Sequence, residues 1–141
     1  MTLAEEDAAL VAAAREAAAR AYVPYSGFHV GAAVRAEDGR VFAAANVENA
    51  SYGLSLCGET NAVMAAALAG ARRLTHVAVV GYRAAEPEGS AMAMPCGRCR
   101  QIINEFAGPQ ARVIVSDVSG DEVLATTLGA LLPHAFGPER L

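Results

Sequence analysis

The chain has 141 residues, 54% of them hydrophobic, enough to build one domain around its own core, which excludes disorder and low complexity. Its formal net charge is −4 and its arginines are scattered, which argues against the basic stripe of a nucleic-acid binder. No basic leader precedes an apolar run and cleavage site, and no uninterrupted run of about eighteen apolar residues occurs, so neither export nor membrane spanning is signalled. A cytoplasmic protein acting on a small, diffusible substrate is expected.

Residues Leu3 to Ala21 are alanine-rich, carry charges at intervals and lack Gly and Pro. They predict an amphipathic helix, ended by Pro24. Phe28 to Arg35 and Arg40 to Asn46 flank Glu37-Asp38-Gly39, and the Asp-Gly pair predicts a hairpin of two antiparallel strands. After the polar segment Asn46 to Tyr52, the run Gly58 to Leu68 is helical in composition, with Gly70 as its C-terminal cap. His76 to Tyr82 is a β-branched run suited to a buried strand. Ala84 to Ala93, with Pro87 and Gly89, reads as a loop. A further helix starts just after Pro95 and runs to about Phe106, with Gly108-Pro109 as its stop. Arg112 to Ser116 is a strand, Ser119-Gly120-Asp121 a turn, Val123-Leu124 a short strand, and a last helix-like turn precedes Pro133. No internal repeat or second domain is visible, so residues 1–141 form one domain. This order predicts one sheet with helices on its faces, an α/β fold.

The chemistry concentrates in Cys57-Gly58-Glu59 and Pro95-Cys96-Gly97-Arg98-Cys99, which between them use every cysteine of the chain. Three cysteines, two of them at CxxC spacing, suit metal or redox chemistry better than a disulfide framework. Cys57 precedes one predicted helix, and Cys96 and Cys99 lie on the first turn of another. Two helix N-termini can therefore converge, and their unpaired N–H groups and positive dipole ends stabilise thiolates. Three thiolates on Zn²⁺ leave the fourth tetrahedral position open, as in a catalytic site rather than a closed structural one. The imidazoles, His29, His76 and His134, lack ligand-like spacing to the cysteines and read as surface or packing residues. A first-turn glutamate such as Glu59 is by itself only favourable to the helix dipole. Beside the cysteine motifs it becomes a candidate catalytic residue.

Cys-x-Glu followed by Pro-Cys-x-x-Cys resembles the zinc deaminase signature, with Cys in the first ligand position. The wider sequence is similar to the small homotetrameric cytidine deaminases. The resemblance rests on Tyr22-Val23-Pro24-Tyr25-Ser26, Phe28-His29-Val30-Gly31-Ala32-Ala33, Asn46-Val47-Glu48-Asn49-Ala50-Ser51-Tyr52-Gly53, Pro95-Cys96-Gly97-Arg98-Cys99-Arg100-Gln101 and Leu131-Leu132-Pro133-His134-Ala135-Phe136-Gly137-Pro138. It implies a three-layer α/β/α sandwich with a mixed five-stranded sheet and helices on both faces. It also implies one Zn²⁺ per subunit, held by Cys57, Cys96 and Cys99. The reaction implied is hydrolytic deamination of cytidine and 2′-deoxycytidine to uridine and 2′-deoxyuridine with release of ammonia, as in pyrimidine salvage. Glu59 would take a proton from water and deliver protons to N3 and the leaving amine. Asn46 and Glu48 would bind the ribose, their period-two spacing pointing both side chains the same way. Phe28 would stack on the pyrimidine, although an aromatic in an apolar strand is ordinarily core. Ala50, Tyr52 and Phe136 would reach shared sites in a homotetramer, with neither nucleic acid nor membrane as partner.

The chain departs from the family pattern after Cys57, where Ala-Glu-Arg is common and Gly58-Glu59-Thr60 stands here. Gly58 is expected to loosen a backbone segment whose carbonyl accepts from the substrate amine. The missing arginine offsets thiolate charge in the family, and Thr60 cannot supply that charge; Arg98, between two ligands, is the candidate substitute, or else a solvated first-turn residue. Two other readings are a deaminase of a modified cytosine nucleoside of the blasticidin S type, and a zinc-binding module without turnover. Asn46-x-Glu48 favours a free ribose over the first, and Glu59 argues against the second.

Overall fold

The computed structural model describes residues 3–89 and 92–141. Its regular elements are α1 (Glu5–Ala18), β1 (Phe28–Ala36), β2 (Val41–Ala45), α2 (Gly58–Leu68), β3 (Leu74–Arg83), α3 (Gly97–Phe106), β4 (Ala107–Ser116), β5 (Val123–Thr127) and the single turn α4 (Leu128–Leu131). The five strands form one sheet in the order β2-β1-β3-β4-β5. All neighbours are antiparallel except β3 and β4, so the sheet is mixed.

The central strands carry small and β-branched residues on both faces, and the period of two sorts them into two cores. Ala33, Ala78, Val80 and Ile114 meet Leu10, Val11 and Ala14 of α1. Their neighbours Ala32, Val34, Val77, Val79, Val113 and Val115 meet Ala62, Val63 and Ala66 of α2, Ile103 of α3 and Leu128 of α4. Helices thus cover both faces, giving the expected three layers. On the α1 side the layers approach closely: a Cβ on Gly31 would lie 1.9 Å from the Ala14 carbonyl oxygen, so this position accepts only glycine.

The Asp38-Gly39 hairpin forms as expected, with Arg35 opposite Val41 and Gly39 at φ +94°. The first helix ends earlier than expected, at Ala18 rather than Ala21, and Pro24 is not what ends it. The chain leaves the helix because Tyr22 is drawn into a bridge with Val47, with Tyr22 N donating to Asn46 O and Glu48 N to Tyr22 O. Gly108-Pro109 is likewise not a spacer after α3. The helix stops at Phe106 and β4 begins at Ala107. Ala107 pairs with Leu74 and Arg112 with His76, so residues 108–111 bulge out opposite Thr75. A proline is tolerated there because a bulged residue owes the ladder no N–H. β3 and β5 extend beyond their expected ends, β5 to Thr127, whose hydroxyl accepts from Ala130 N and caps α4. The expected loop of residues 84–93 lies partly outside the described residues; its first part contains a 3-10 turn, Pro87–Gly89.

Beyond the α1 core, Arg35, His76 and Arg112 stand side by side on β1, β3 and β4. Asp7 of α1, buried, pairs with Arg112 (Nε to Oδ2, 2.8 Å), and Arg35 Nη2 donates to Glu6 O. Partial burial pushes the His76 pKa below its ordinary 6.5, and the positive charges of Arg35 and Arg112 push the same way against Asp7 and Glu6. The unfolded chain therefore binds the His76 proton more readily, and the fold loses stability as pH falls below about 6.5. His76→Gln is expected to flatten that part of the decline in urea-unfolding midpoints measured between pH 7 and pH 5, relative to the unsubstituted protein.

Candidate metal centre

Cys57 and Cys96 occupy the N-cap positions of α2 and α3 in extended backbone, and neither side chain caps its helix by a hydrogen bond. Cys99 follows within the first turn of α3. Their sulfurs are therefore free to point at one another across the two helix starts, and all three lie within 4.8 Å of each other. Zn–S bonds of about 2.3 Å in tetrahedral geometry place sulfurs roughly 3.8 Å apart, so a small contraction closes the cluster on a metal. Among the described residues this is the one group of three His, Cys, Asp or Glu side chains placed to hold a metal ion.

The helix starts are pinned by the sheet. The Asn61 side-chain amide donates to Ala45 O at 2.9 Å, which ties the first turn of α2 to β2. Arg100 donates to Pro95 O and Leu131 O at 2.7 and 2.8 Å, which fixes the entry to α3 against α4. Gly58 packs against the β1 backbone: a Cβ there would lie 2.7 Å from Val30 O and 3.4 Å from the Ala45 Cα. Contrary to the expectation from the sequence, Gly58 does not loosen this segment; it permits an approach that alanine would push apart.

Glu59 is 3% exposed, and its Oε1 is buried without a hydrogen-bond partner. Burial is the main cause that raises its pKa above the ordinary carboxylate range. Without metal, Cys57 has a lowered pKa because it accepts a hydrogen bond from Cys99, whose own pKa is raised by donating it and by burial. Soft thiol donors, helix N-termini that favour their ionised form, and an orphaned buried carboxylate oxygen beside them fit zinc and a polar reactant. Thr60, next to Glu59 and also buried, has its Oγ1 3.5 Å from Cys99 Sγ.

The other site candidates fall into two groups. Phe28 opens β1, half-buried, with the Arg83 guanidinium over its ring at 5.8 Å. Asn46 accepts from Val30 N and donates to Phe28 O, each at 2.9 Å. Glu48 Oε1 accepts from Tyr25 N and Ser26 N, each at 3.1 Å. Hydrogen bonding, chiefly from the Ser26 hydroxyl, lowers its pKa. Both side chains thus turn to the same segment, residues 25–30, as period-two spacing required. Reciprocal bonds between Val47 and Leu56 fold the connection back so that Cys57 follows directly. Ala50, Tyr52, Phe136 and Arg98 form the second group and are exposed. Tyr52 tilts against Tyr25, the Phe136 carbonyl is held by Gln101 and Asn104, and Arg98 has no hydrogen-bond or ion-pair partner among the described residues. Asn61 and Arg100 were missed by sequence reasoning, and Thr60 was noted only as the residue standing where the family has arginine. Arg100 carried a signal too, as a member of the block Pro95 to Gln101.

This combination defines a metal-dependent hydrolytic site on a three-layer α/β/α fold. The family description "Cytidine and deoxycytidylate deaminase zinc-binding region" matches residues 4–116. The chain is 42% identical to a cytidine deaminase of Sporosarcina psychrophila over 94% of this chain and 92% of that one. It is 46% identical to a cytidine deaminase of Mycobacterium tuberculosis over 91% and 87% of the two chains. The crystal structure of a cytidine deaminase from Burkholderia pseudomallei superposes with a TM-score of 0.83 at 43% identity, covering 95% of this chain and all of the other. The chain belongs to the cytidine and deoxycytidylate deaminase family, is an enzyme of a zinc-binding family, and has in Cys57, Cys96 and Cys99 a sulfur cluster compatible with a zinc site.

Gly58→Ala is expected to displace the start of α2 and to destabilise the fold by about 1–3 kcal/mol, measured as a lower midpoint in chemical denaturation. Removing zinc with a chelator is expected to lower the thermal midpoint of the unsubstituted protein, and Cys99→Ala to eliminate stoichiometric zinc in elemental analysis.

Proposed function

We propose that this enzyme hydrolyses cytidine and 2′-deoxycytidine to uridine and 2′-deoxyuridine with release of ammonia, serving pyrimidine salvage in the cytoplasm. The observation that carries the reading is Glu59: a buried carboxylate with an unsatisfied oxygen, two residues from one thiolate ligand and at the junction of both helix starts. Zinc bound there supplies Lewis acidity, which lowers the pKa of water.

The protein's own groups do the rest. Glu59 takes the proton from the attacking water, and burial, which raises its pKa, favours its holding that proton. It passes that proton to N3, then takes the second proton from the hydroxyl added at C4 and delivers it to the departing amine, which leaves as ammonia. The backbone at Gly58, pressed against Val30, aims its carbonyl at the amine. Phe28 stacks on the pyrimidine, with Arg83 on its ring. Asn46 and Glu48 bind the ribose: each already spends one oxygen on backbone N–H groups of residues 25–30, which orients it, and keeps further hydrogen-bonding capacity for a hydroxyl.

The working form is a homotetramer with shared sites, to which neighbouring subunits bring Ala50, Tyr52 and Phe136. In support, Tyr52 and Leu54 are 73% and 66% exposed, Leu68 on α2 is 91% exposed and Phe136 is 57% exposed, large apolar side chains of the kind that a subunit interface covers. Sedimentation velocity is expected to give a four-subunit mass. Glu59→Gln is expected to lower kcat on cytidine by about 10²–10⁴-fold while zinc content stays stoichiometric. Loss of ultraviolet absorbance on deamination, with elemental analysis alongside, checks both, and a Gln variant that turns over normally overturns the assignment.

A further inference from the structure

The three sulfurs are not equivalent. Cys96 is exposed and Cys57 half-buried, whereas Cys99 is buried completely. Water can solvate the first two thiolates, but the third depends on donors supplied by the protein. Thr60 is placed to be that donor. It is 4% exposed, on the first turn of α2, and its Oγ1 reaches Cys99 Sγ on α3 at 3.5 Å. A thiol and a hydroxyl could each donate to the other, but a metal-ligating sulfur is a thiolate with no proton, so with zinc bound only the hydroxyl can donate. The contact also bridges the two helices that carry the ligands.

We propose that Thr60 is a positioning residue for zinc: its hydroxyl donates to the Cys99 thiolate, fixes that sulfur and draws charge from it. Three thiolates and Zn²⁺ carry one net negative charge, and this chain disperses it through a neutral hydroxyl and two helix dipoles rather than a neighbouring cation. Arg98, which sequence reasoning offered either as the compensating charge or as a solvated first-turn residue, is exposed, and the proposal gives it no part. The donor is the chain's substitute for the arginine that commonly follows the glutamate. The inference rests on the sulfur cluster being the zinc site.

The test uses full-length protein and two readouts other than turnover: zinc affinity by chelator competition, and the thiolate-to-cobalt charge-transfer band of the Co²⁺-substituted form. Thr60→Val, nearly isosteric and lacking the hydroxyl, is expected to weaken zinc binding by about tenfold or more and to shift the cobalt band. Thr60→Ser is expected to restore both, and Arg98→Gln to change neither. Thr60→Ala repeats the measurement with a smaller side chain should the valine variant not fold. Unsubstituted protein that binds no zinc overturns the site itself. Zinc bound equally tightly by the unsubstituted, Val and Ala forms, with an unmoved band, overturns Thr60 alone. A Ser variant as weak as Val, or an Arg98→Gln variant weakened tenfold, does so as well.

Discussion

Two helices, α2 and α3, begin at the same point, and what lies there is anionic. The positive ends of both dipoles and the free first-turn N–H groups make it a place where thiolates and a carboxylate can be held away from water. Burial raises the pKa of both Glu59 and Cys99, so holding either one ionised there requires positive charge, which a bound metal ion would add to the two helix starts. The architecture therefore serves to hold two helix starts end to end.

The sheet does this through small residues and backbone ties. Gly58 lets α2 press onto Val30, Asn61 bonds its first turn to Ala45, and Arg100 fixes the entry to α3. Gly31 performs the corresponding service on the other face, admitting α1 against β1. Asn46 belongs to the same scheme, because its amide joins β1 to the end of β2 while leaving it at the edge of the site. Under the proposed function the same side chain would both join the strands and meet the ribose.

Most of the fold was legible in the chain. The Asp38-Gly39 turn, the β-branched run at Val77–Val80 and the alanine-rich helices each obey a local rule that tertiary contacts had no cause to overrule. The errors lie where long-range pairing outweighed a local signal. Pro24 looked like a helix terminator, yet α1 had already ended where Tyr22 paired with Asn46 and Glu48. Gly108-Pro109 looked like a break between elements and is a bulge inside β4, because Ala107 and Arg112 pair with residues two apart on β3.

The same division runs through the site. The cluster of Cys57, Cys96 and Cys99 was readable from residue type and spacing, because metal ligation demands such groups and few others supply them. The motif blocks around them narrowed the chemistry to a family by resemblance. What only the tertiary structure decided is how the thiolate charge is met: Thr60 lies thirty-nine residues from Cys99 in the chain, and no local pattern says that a threonine on one helix faces a sulfur on another. A hydrogen bond between distant segments depends on where the sheet sets the two helices, and that placement is a property of packing rather than of any stretch of sequence.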